Sequence, residues 1–268
     1  MAQHVVKIDY DNRTISLFDP ASFEYKGQGT ALPLVLRRGR EPIVRVRVGL
    51  PGKAPIEAEV LLDAPHPRTI TFGSPFAREH NLRDSMLKVS GRLLPSAAFG
   101  VGGKTELESG RLEWIEIGPY ALNFPDAAFA SDAKGGAFAR SDIDGIIGGE
   151  LLRRFSVILD YSRARMILEP SLSFLDLPFE TDASGLLVRT TDQSHHEFEV
   201  AGVFDGTPAS EAGIQKADRI LSIDGKPAST LTLWELRTLF RKAPRRYTLI
   251  LRRGTETKQI TLQTRHLI

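Results

Sequence analysis

The 268-residue sequence contains no cysteine, which excludes disulfides, thiol catalysis and cysteine-ligated zinc. It leaves the compartment open, because cysteine-free chains occur on both sides of a membrane. No apolar stretch approaches the length of a membrane span. An excess of one charge is also lacking: 35 Lys and Arg stand against 33 Asp and Glu, a formal net charge of +2. No strong field therefore draws nucleic acid or an anionic membrane. The arginine-rich pieces, Arg37, Arg38, Arg40, Arg45 and Arg47 and later Arg241, Arg245 and Arg246, are spread among strands and turns and read as solvated faces. The pair His195-His196 lacks metal-ligand spacing, and neither a metal nor any other cofactor is expected. Ser74, Ser96 and Ser109 lack the nucleophile-elbow pattern, so a serine hydrolase is not expected. The amino terminus, MAQHVVKIDYDN, has no basic segment followed by an apolar one, so no export signal is visible. Location is unknown; a periplasmic or secreted address is expected only if the chain is cut from a longer precursor.

What is present is ordinary for a globular protein: 41% apolar and 25% charged residues, and a length that suits two domains, each with its own core. An internal repeat stands out. VVKIDYDNRTISLFDP (residues 5–20) and SVILDYSRARMILEP (156–170) each have an apolar stretch, Asp-Tyr, a basic turn, a second alternating stretch, an acidic residue and proline. Both read as β-hairpins, with a one-residue length difference expected in the turn. Between them lie short β-branched runs bounded by Gly or Pro (ALPLVL, IVRVRVGL, IEAEVLL, RTITF, RLEWIEIG, YALNF), with helical pattern only at residues 75–82 and 150–155. This is a mainly antiparallel β domain. After Pro170 the composition changes, and beyond a connector an α+β module begins near residue 180.

Within that module, VFDGTPASEAGIQKADRILSIDGKP (203–227) resembles the core signature of PDZ domains. Gly206-Thr207-Pro208-Ala209, Ala212-Gly213 and Asp218-Arg219-Ile220 to Asp224-Gly225 match, while Lys216-Ala217 stands where a glycine is usual. The resemblance implies a domain over 180–268 that takes peptide C-termini as an added strand, with backbone N–H groups capturing the carboxylate. It places the capture loop at Ser184-Gly185-Leu186-Leu187 and the peptide between Leu186, Leu187, Val188 and Arg189 and a helix from Thr232 to Arg241. Leu233 then faces the ligand side chain, which implies an apolar partner residue, and Leu236 joins it. The alternative is that Leu233 and Leu236 are core residues at helical spacing. Trp234 is expected to pack.

The β-rich part, residues 21–172, resembles the retropepsin-like aspartic peptidases, in particular bacterial proteins that join such a lobe to a terminal PDZ domain. Three features in order carry this: Val60-Leu61-Leu62-Asp63; the Gly-rich tip Phe99-Gly100-Val101-Gly102-Gly103; and Asp144-Gly145-Ile146-Ile147-Gly148 leading into Gly149-Glu150-Leu151-Leu152. The resemblance implies an acid-protease β-barrel lobe, Asp63 as the catalytic residue, a flap at Gly100, Val101, Gly102 and Gly103, and support behind the catalytic loop from Gly145, Ile146, Ile147 and Gly148. Residues 1–20 would be a closing hairpin like the tail of a preceding lobe.

The departure lies at the centre. The family signature is Asp-Thr-Gly; here the active-site loop reads Asp63-Ala64-Pro65-His66. Hydrolysis of this type needs two carboxylates that share a proton, held by preorganised donors. Ala64 has no hydroxyl, and Pro65 has no N–H and restricts Ala64 to extended conformations. One loop also brings one carboxylate. A symmetric homodimer or a missing N-terminal lobe would supply the other, unless the first hairpin pairs with the last inside one lobe. His66 is a candidate ion-pair partner or substitute acid/base, though a loop residue without a catalytic role is the commoner case. Three readings follow: an aspartic-type endopeptidase acting on polypeptide substrates, a non-catalytic peptide-binding scaffold or regulator, or an assembly module in which the lobe serves only to dimerise PDZ domains.

Overall fold

A computed structural model describes residues 4–39, 41–100, 103–131, 133, 135–191 and 196–268. The chain divides into two compact units, one comprising residues up to Leu93 and Ala97–Phe179, the other Leu94–Ser96 and Glu180–Ile268.

The first unit opens with β1 (Val5–Asp9), β2 (Thr14–Phe18), β3 (Thr30–Pro33), β4 (Val35–Arg37), β5 (Glu41–Gly49), β6 (Ile56–Leu62) and β7 (Ile70–Phe72). Two helices follow, α1 (Ser74–Glu79) and α2 (Leu82–Ser90), then β8 (Leu94–Gly100), of which Ala97 onward belongs to this unit, β9 (Gly103–Arg111), β10 (Trp114–Ile117), β11 (Tyr120–Asn123) and β12 (Asp126–Phe129). It closes with β13 (Gly145–Ile147), α3 (Gly149–Leu152), β14 (Phe155–Asp160) and β15 (Arg165–Pro170). One sheet has the order β2-β1-β14-β15-β3; a larger one runs β11-β10-β5-β6-β13-β7-β12-β9-β8, with β4 also on β5. β5 shows why these segments are strands: Val44, Val46 and Val48 are buried, while Arg45 and Arg47 between them face solvent and pair with Glu59 and Glu116, the two-residue period of a half-buried strand. A shared core joins these valines to Phe72, Phe76, Leu82, Met86, Ile115, Leu151 and Phe155. The α2 helix extends helical structure past the expected 75–82. Its Leu82 and Met86 are buried, and Gly91 ends it in the left-handed region at φ 70°, the usual conformation for a helix stop.

The two repeat hairpins lie side by side, β1 antiparallel to β14. Their registers match: Asp9 faces Thr14 as Asp160 faces Arg165, so the turns 10–13 and 161–164 are of equal length. The expected length difference in the turn is thereby corrected; it falls at the ends of the second strands, where Phe18 separates Leu17 from Asp19-Pro20 while Leu168 is followed directly by Glu169-Pro170. Arg154 anchors the segment that follows β15. Its side chain is buried, with the guanidinium 3.6 Å from the centre of the Phe179 ring. It donates to the carbonyls of Phe174, Leu175 and Leu177 at 3.0, 2.9 and 2.5 Å.

The second unit contains β16 (Leu186–Thr190), β17 (Phe198–Val203), α4 (Pro208–Glu211), β18 (Arg219–Ile223), β19 (Lys226–Pro227), α5 (Leu233–Arg241), β20 (Arg245–Arg253) and β21 (Glu256–Thr264). Its sheet order is β16-β17-β18-β20-β21, with β19 on β18. α5 starts in a capping box: the Glu235 N–H donates to Thr232 Oγ1 at 3.2 Å and the Thr232 N–H to Glu235 Oε2 at 2.7 Å, satisfying two donors left over at a helix start. Leu236 and Phe240 on its inner face pack with Val188, Phe198, Val200, Tyr247 and Leu249. The molecule is mainly β. Among the described residues no helix is long and apolar enough to cross a membrane.

Candidate functional site

In the first unit, β6 sends Ala58, Val60 and Leu62 into the core and delivers Asp63 at its end. β13 sits between the two strands flanking the loop that follows, parallel to β6 (Gly145 opposite Val60) and antiparallel to β7 (Gly145 opposite Phe72). Backbone bonds fix the loop: Asp63 N–H to the Ile147 carbonyl (3.0 Å), His66 N–H to the Asp63 carbonyl (2.9 Å) and Gly149 N–H to the His66 carbonyl (2.8 Å). Only glycine permits this approach, since a Cβ on Gly148 would lie 2.2 Å from the His66 carbonyl oxygen and one on Gly145 2.6 Å from that of Thr71. Gly145, Ile146, Ile147 and Gly148 are thus brought behind Asp63, Ala64, Pro65 and His66.

The chemistry of that loop is sparse. Asp63 is half-buried, and burial alone pushes its carboxyl up; a neighbouring carboxylate would add its own upward push, and none contributes. Among the described residues the Asp63 carboxylate makes no hydrogen bond or ion pair. His66 turns to Thr71 instead, its Nε2 2.8 Å from the hydroxyl oxygen. Burial first, then the charge of Arg68, hold the ring down to about 4 against an upward pull from Asp126, so it is neutral at pH 7. The buried Thr69 hydroxyl donates to Asp126, itself buried. Thr69, Thr71 and Asp126 were not singled out from sequence; the buried threonines alternating with Ile70 in RTITF were the available signal. Gly100 ends β8 and Gly103 begins β9, with φ 102°, while Val101 and Gly102 lie outside the described residues, as does His195.

In the second unit, the loop before β16 is closed by its own polar groups. The Ser184 and Gly185 N–H groups donate to Asp182 Oδ2 at 3.2 and 2.5 Å, the Ser184 hydroxyl donates to Asp182 Oδ1 at 2.7 Å, and the Leu186 N–H donates to Ser184 Oγ at 3.0 Å. Burial pushes the Asp182 carboxyl up to about 6, with these bonds opposing it. Gly185 has φ 80°, and a Cβ there would stand 2.0 Å from the Thr207 hydroxyl oxygen. The strand that follows, β16, is the outer strand of its sheet, with β17 on one side and α5 beside it. Leu186 and Val188 bury their side chains and Leu187 is partly exposed. Across from them, Arg237 on α5 donates from Nη2 to the Val188 carbonyl at 3.1 Å.

These positions correct two side-chain expectations. Leu236 is fully buried in the domain core and cannot line a groove. Leu233 is partly exposed, and its neighbour one turn on, four residues away on the same helix face, is Arg237. That spacing was legible in the sequence and was missed. Trp234, expected to pack, is 66% exposed.

No curated protein matches the chain. Solved structures with similar features include a photosystem II D1 C-terminal processing protease, 21% identical with a TM-score of 0.31 over 36% of this chain and 27% of that one. A PDZ domain protein from Parabacteroides distasonis is 20% identical, with a TM-score of 0.28 over 32% of this chain and 20% of that one. A serine endoprotease from Yersinia pestis is 12% identical, with a TM-score of 0.33 over 100% of this chain and 95% of that one. The chain thus spans well under two thirds of the first two. The proteases named here are a processing protease and a serine endoprotease, likenesses too slight to assign chemistry, and the expectation of an aspartic-type, retropepsin-like endopeptidase is corrected on the loop itself. The loop supplies a physical reason: among the described residues Asp63 stands without a second carboxylate to share a proton, beside Ala64, which has no hydroxyl, and Pro65, which has no N–H, to hold one. For the second unit, geometry and sequence coincide. The family model for the PDZ domain matches residues 184–264, the span that contains β16, α5 and the sheet between them, and this part of the chain is a PDZ domain.

Proposed function

We propose that the protein is a peptide-binding protein whose PDZ domain takes the C-terminal end of a polypeptide as an added strand on β16. One observation carries the reading: β16 ends its sheet beside α5, and the bond from Arg237 to its Val188 carbonyl is one that an incoming peptide N–H can replace, releasing the guanidinium toward the peptide end. An extended peptide there completes the ladder with its backbone, and its alternate side chains point toward α5. Leu233 suits an apolar side chain at the peptide end. The Arg237 guanidinium supplies positive charge for the terminal carboxylate, a role that the closed loop at Ser184, Gly185 and Leu186 leaves to it. Binding without cleavage is the reading for the whole chain: His66 bonds to Thr71 and His196 to the Leu231 carbonyl, and among the described residues the Asp63 carboxylate has no second carboxylate beside it.

The test is a titration of the full chain with a fluorescent octapeptide ending in valine and with its amidated form. Saturable binding of the free acid, weakened about tenfold or more by amidation or by Arg237→Met, supports the proposal. Equal affinity for both forms rejects carboxylate recognition, and absence of binding rejects the groove.

A further inference from the structure

The paired hairpins leave one apolar face uncovered. Ile15 faces Ile8 as Met166 faces Leu159, and Leu17 faces Val6 as Leu168 faces Val157. Arg13 and Ala164, at matching turn positions, share the left-handed conformation with φ 55° and 47°. Lys7 pairs with Ile158, its own positional equivalent, so a local two-fold passes between those residues. The two halves meet different fates. Met166 and Leu168 are completely buried under the core of the first unit, whereas Ile15 and Leu17, their equivalents, are 70% and 61% exposed.

The same two residues sit on a strand with a free edge, since β2 ends its sheet. Exposed edges are normally guarded by charge, proline or a bulge. β3, the opposite edge of this sheet, ends in Pro33, but β2 reads Thr-Ile-Ser-Leu-Phe without a charge or proline. Both the side chains and the backbone of β2 are therefore in the state of an unpaired interface.

We infer that β2 is a homodimerisation strand, pairing antiparallel with β2 of a second copy of this chain about Ser16. The register follows from the sequence. Centring on Ser16 sets Ile15 opposite Leu17 of the other copy and Thr14 opposite Phe18, joining four apolar side chains on one face. It also sets Arg13 opposite Asp19, once at each end, and both residues are exposed. A shift by one residue keeps neither match, because a slip moves every side chain to the other face. The charge pattern at the strand ends thus specifies a second copy as the occupant.

Sedimentation equilibrium of the intact chain at tens of micromolar tests this. The expected mass is twice the 29.6 kDa of the chain. Arg13→Asp sets like charges opposite each other at both ends and weakens the dimer by about tenfold or more. Asp tolerates the left-handed conformation at that turn position. The combined Arg13→Asp and Asp19→Arg exchange restores opposite charges and recovers dimerisation, with melting curves showing that each variant is folded. A monomeric mass for the unaltered chain overturns the inference, as does a dimer indifferent to both the single and the combined change. A chain that stays monomeric alone and associates only with a different protein overturns it as well.

Discussion

Substituting alanine for Gly185 tests the construction of the peptide site at its tightest point. Two costs are built into that position. Its φ of 80° lies where a residue with a Cβ is strained, at about 1–2 kcal/mol. The added Cβ would stand 2.0 Å from Thr207 Oγ1 and 2.3 Å from Thr207 Cβ, and Thr207 is fully buried with its hydroxyl bonded to the Phe204 carbonyl. Overpacking against such a neighbour costs about 1–3 kcal/mol. Together, Gly185→Ala destabilises the PDZ domain by about 2–5 kcal/mol, a large share of the roughly 5–15 kcal/mol that a domain has. The assay is urea unfolding followed by Trp234 in a Trp114→Phe background, so that one reporter follows the second unit. Thr207→Gly supplies the control, since it removes the clashing atoms and glycine remains a serviceable helix N-cap. In the double variant the packing cost disappears and the backbone cost stays, a coupling of about 1–3 kcal/mol. A cost below about 0.5 kcal/mol for Gly185→Ala, or simple additivity of the pair, would refute the reasoning.

Three further outcomes are expected. His66 is held at about 4 in the fold against an ordinary 6.5, so the unfolded chain binds its proton first; the first unit loses stability as pH falls from about 6.5 to about 4, and urea midpoints in His66→Gln are flatter over that window. Burial pushes Asp218 up, but the Arg253 guanidinium, bonded through Nε and Nη2 at 2.7 Å each, and the Gln215 N–H reverse this and leave its carboxyl below the usual range. The stability it contributes is present above pH 3.8 and is lost as pH falls below it, and Arg253→Met moves the acid unfolding of the PDZ domain to higher pH. Arg154→Met leaves three carbonyls without their donor, while Glu150 keeps the closer Arg153, and destabilises the first unit by about 3 kcal/mol or more in thermal unfolding; a change under 1 kcal/mol would show that Arg154 does not anchor residues 174–177.

How legible the molecule was depends on the range of each interaction. α5 was readable because its start is a local capping box and its inner face repeats at helical spacing. The pairing of the two hairpins was readable only as two open alternatives, since β1 and β14 are far apart in sequence and nothing local sets their contact. α2 escaped notice because Arg83, Asp84 and Lys88 interrupt its apolar positions, and burial of Leu82, Ser85 and Met86 decides it. Asp63 was found from the strand before it and the glycines of β13, yet the same local reading carried an assumption about chemistry that the loop does not support. Leu236 was placed in the groove and Arg237 overlooked for one reason: a helix turns by about 100° per residue, so an offset of one position exchanges core for cleft.

The most direct test of the peptide-binding account is a map of backbone amide shifts in the PDZ domain of the intact chain during titration with a valine-ended octapeptide. The account predicts saturable shifts concentrated at Leu186–Thr190 and along Leu233–Arg241. Shifts confined to β21, or spread with no preference for β16 and α5, would contradict it.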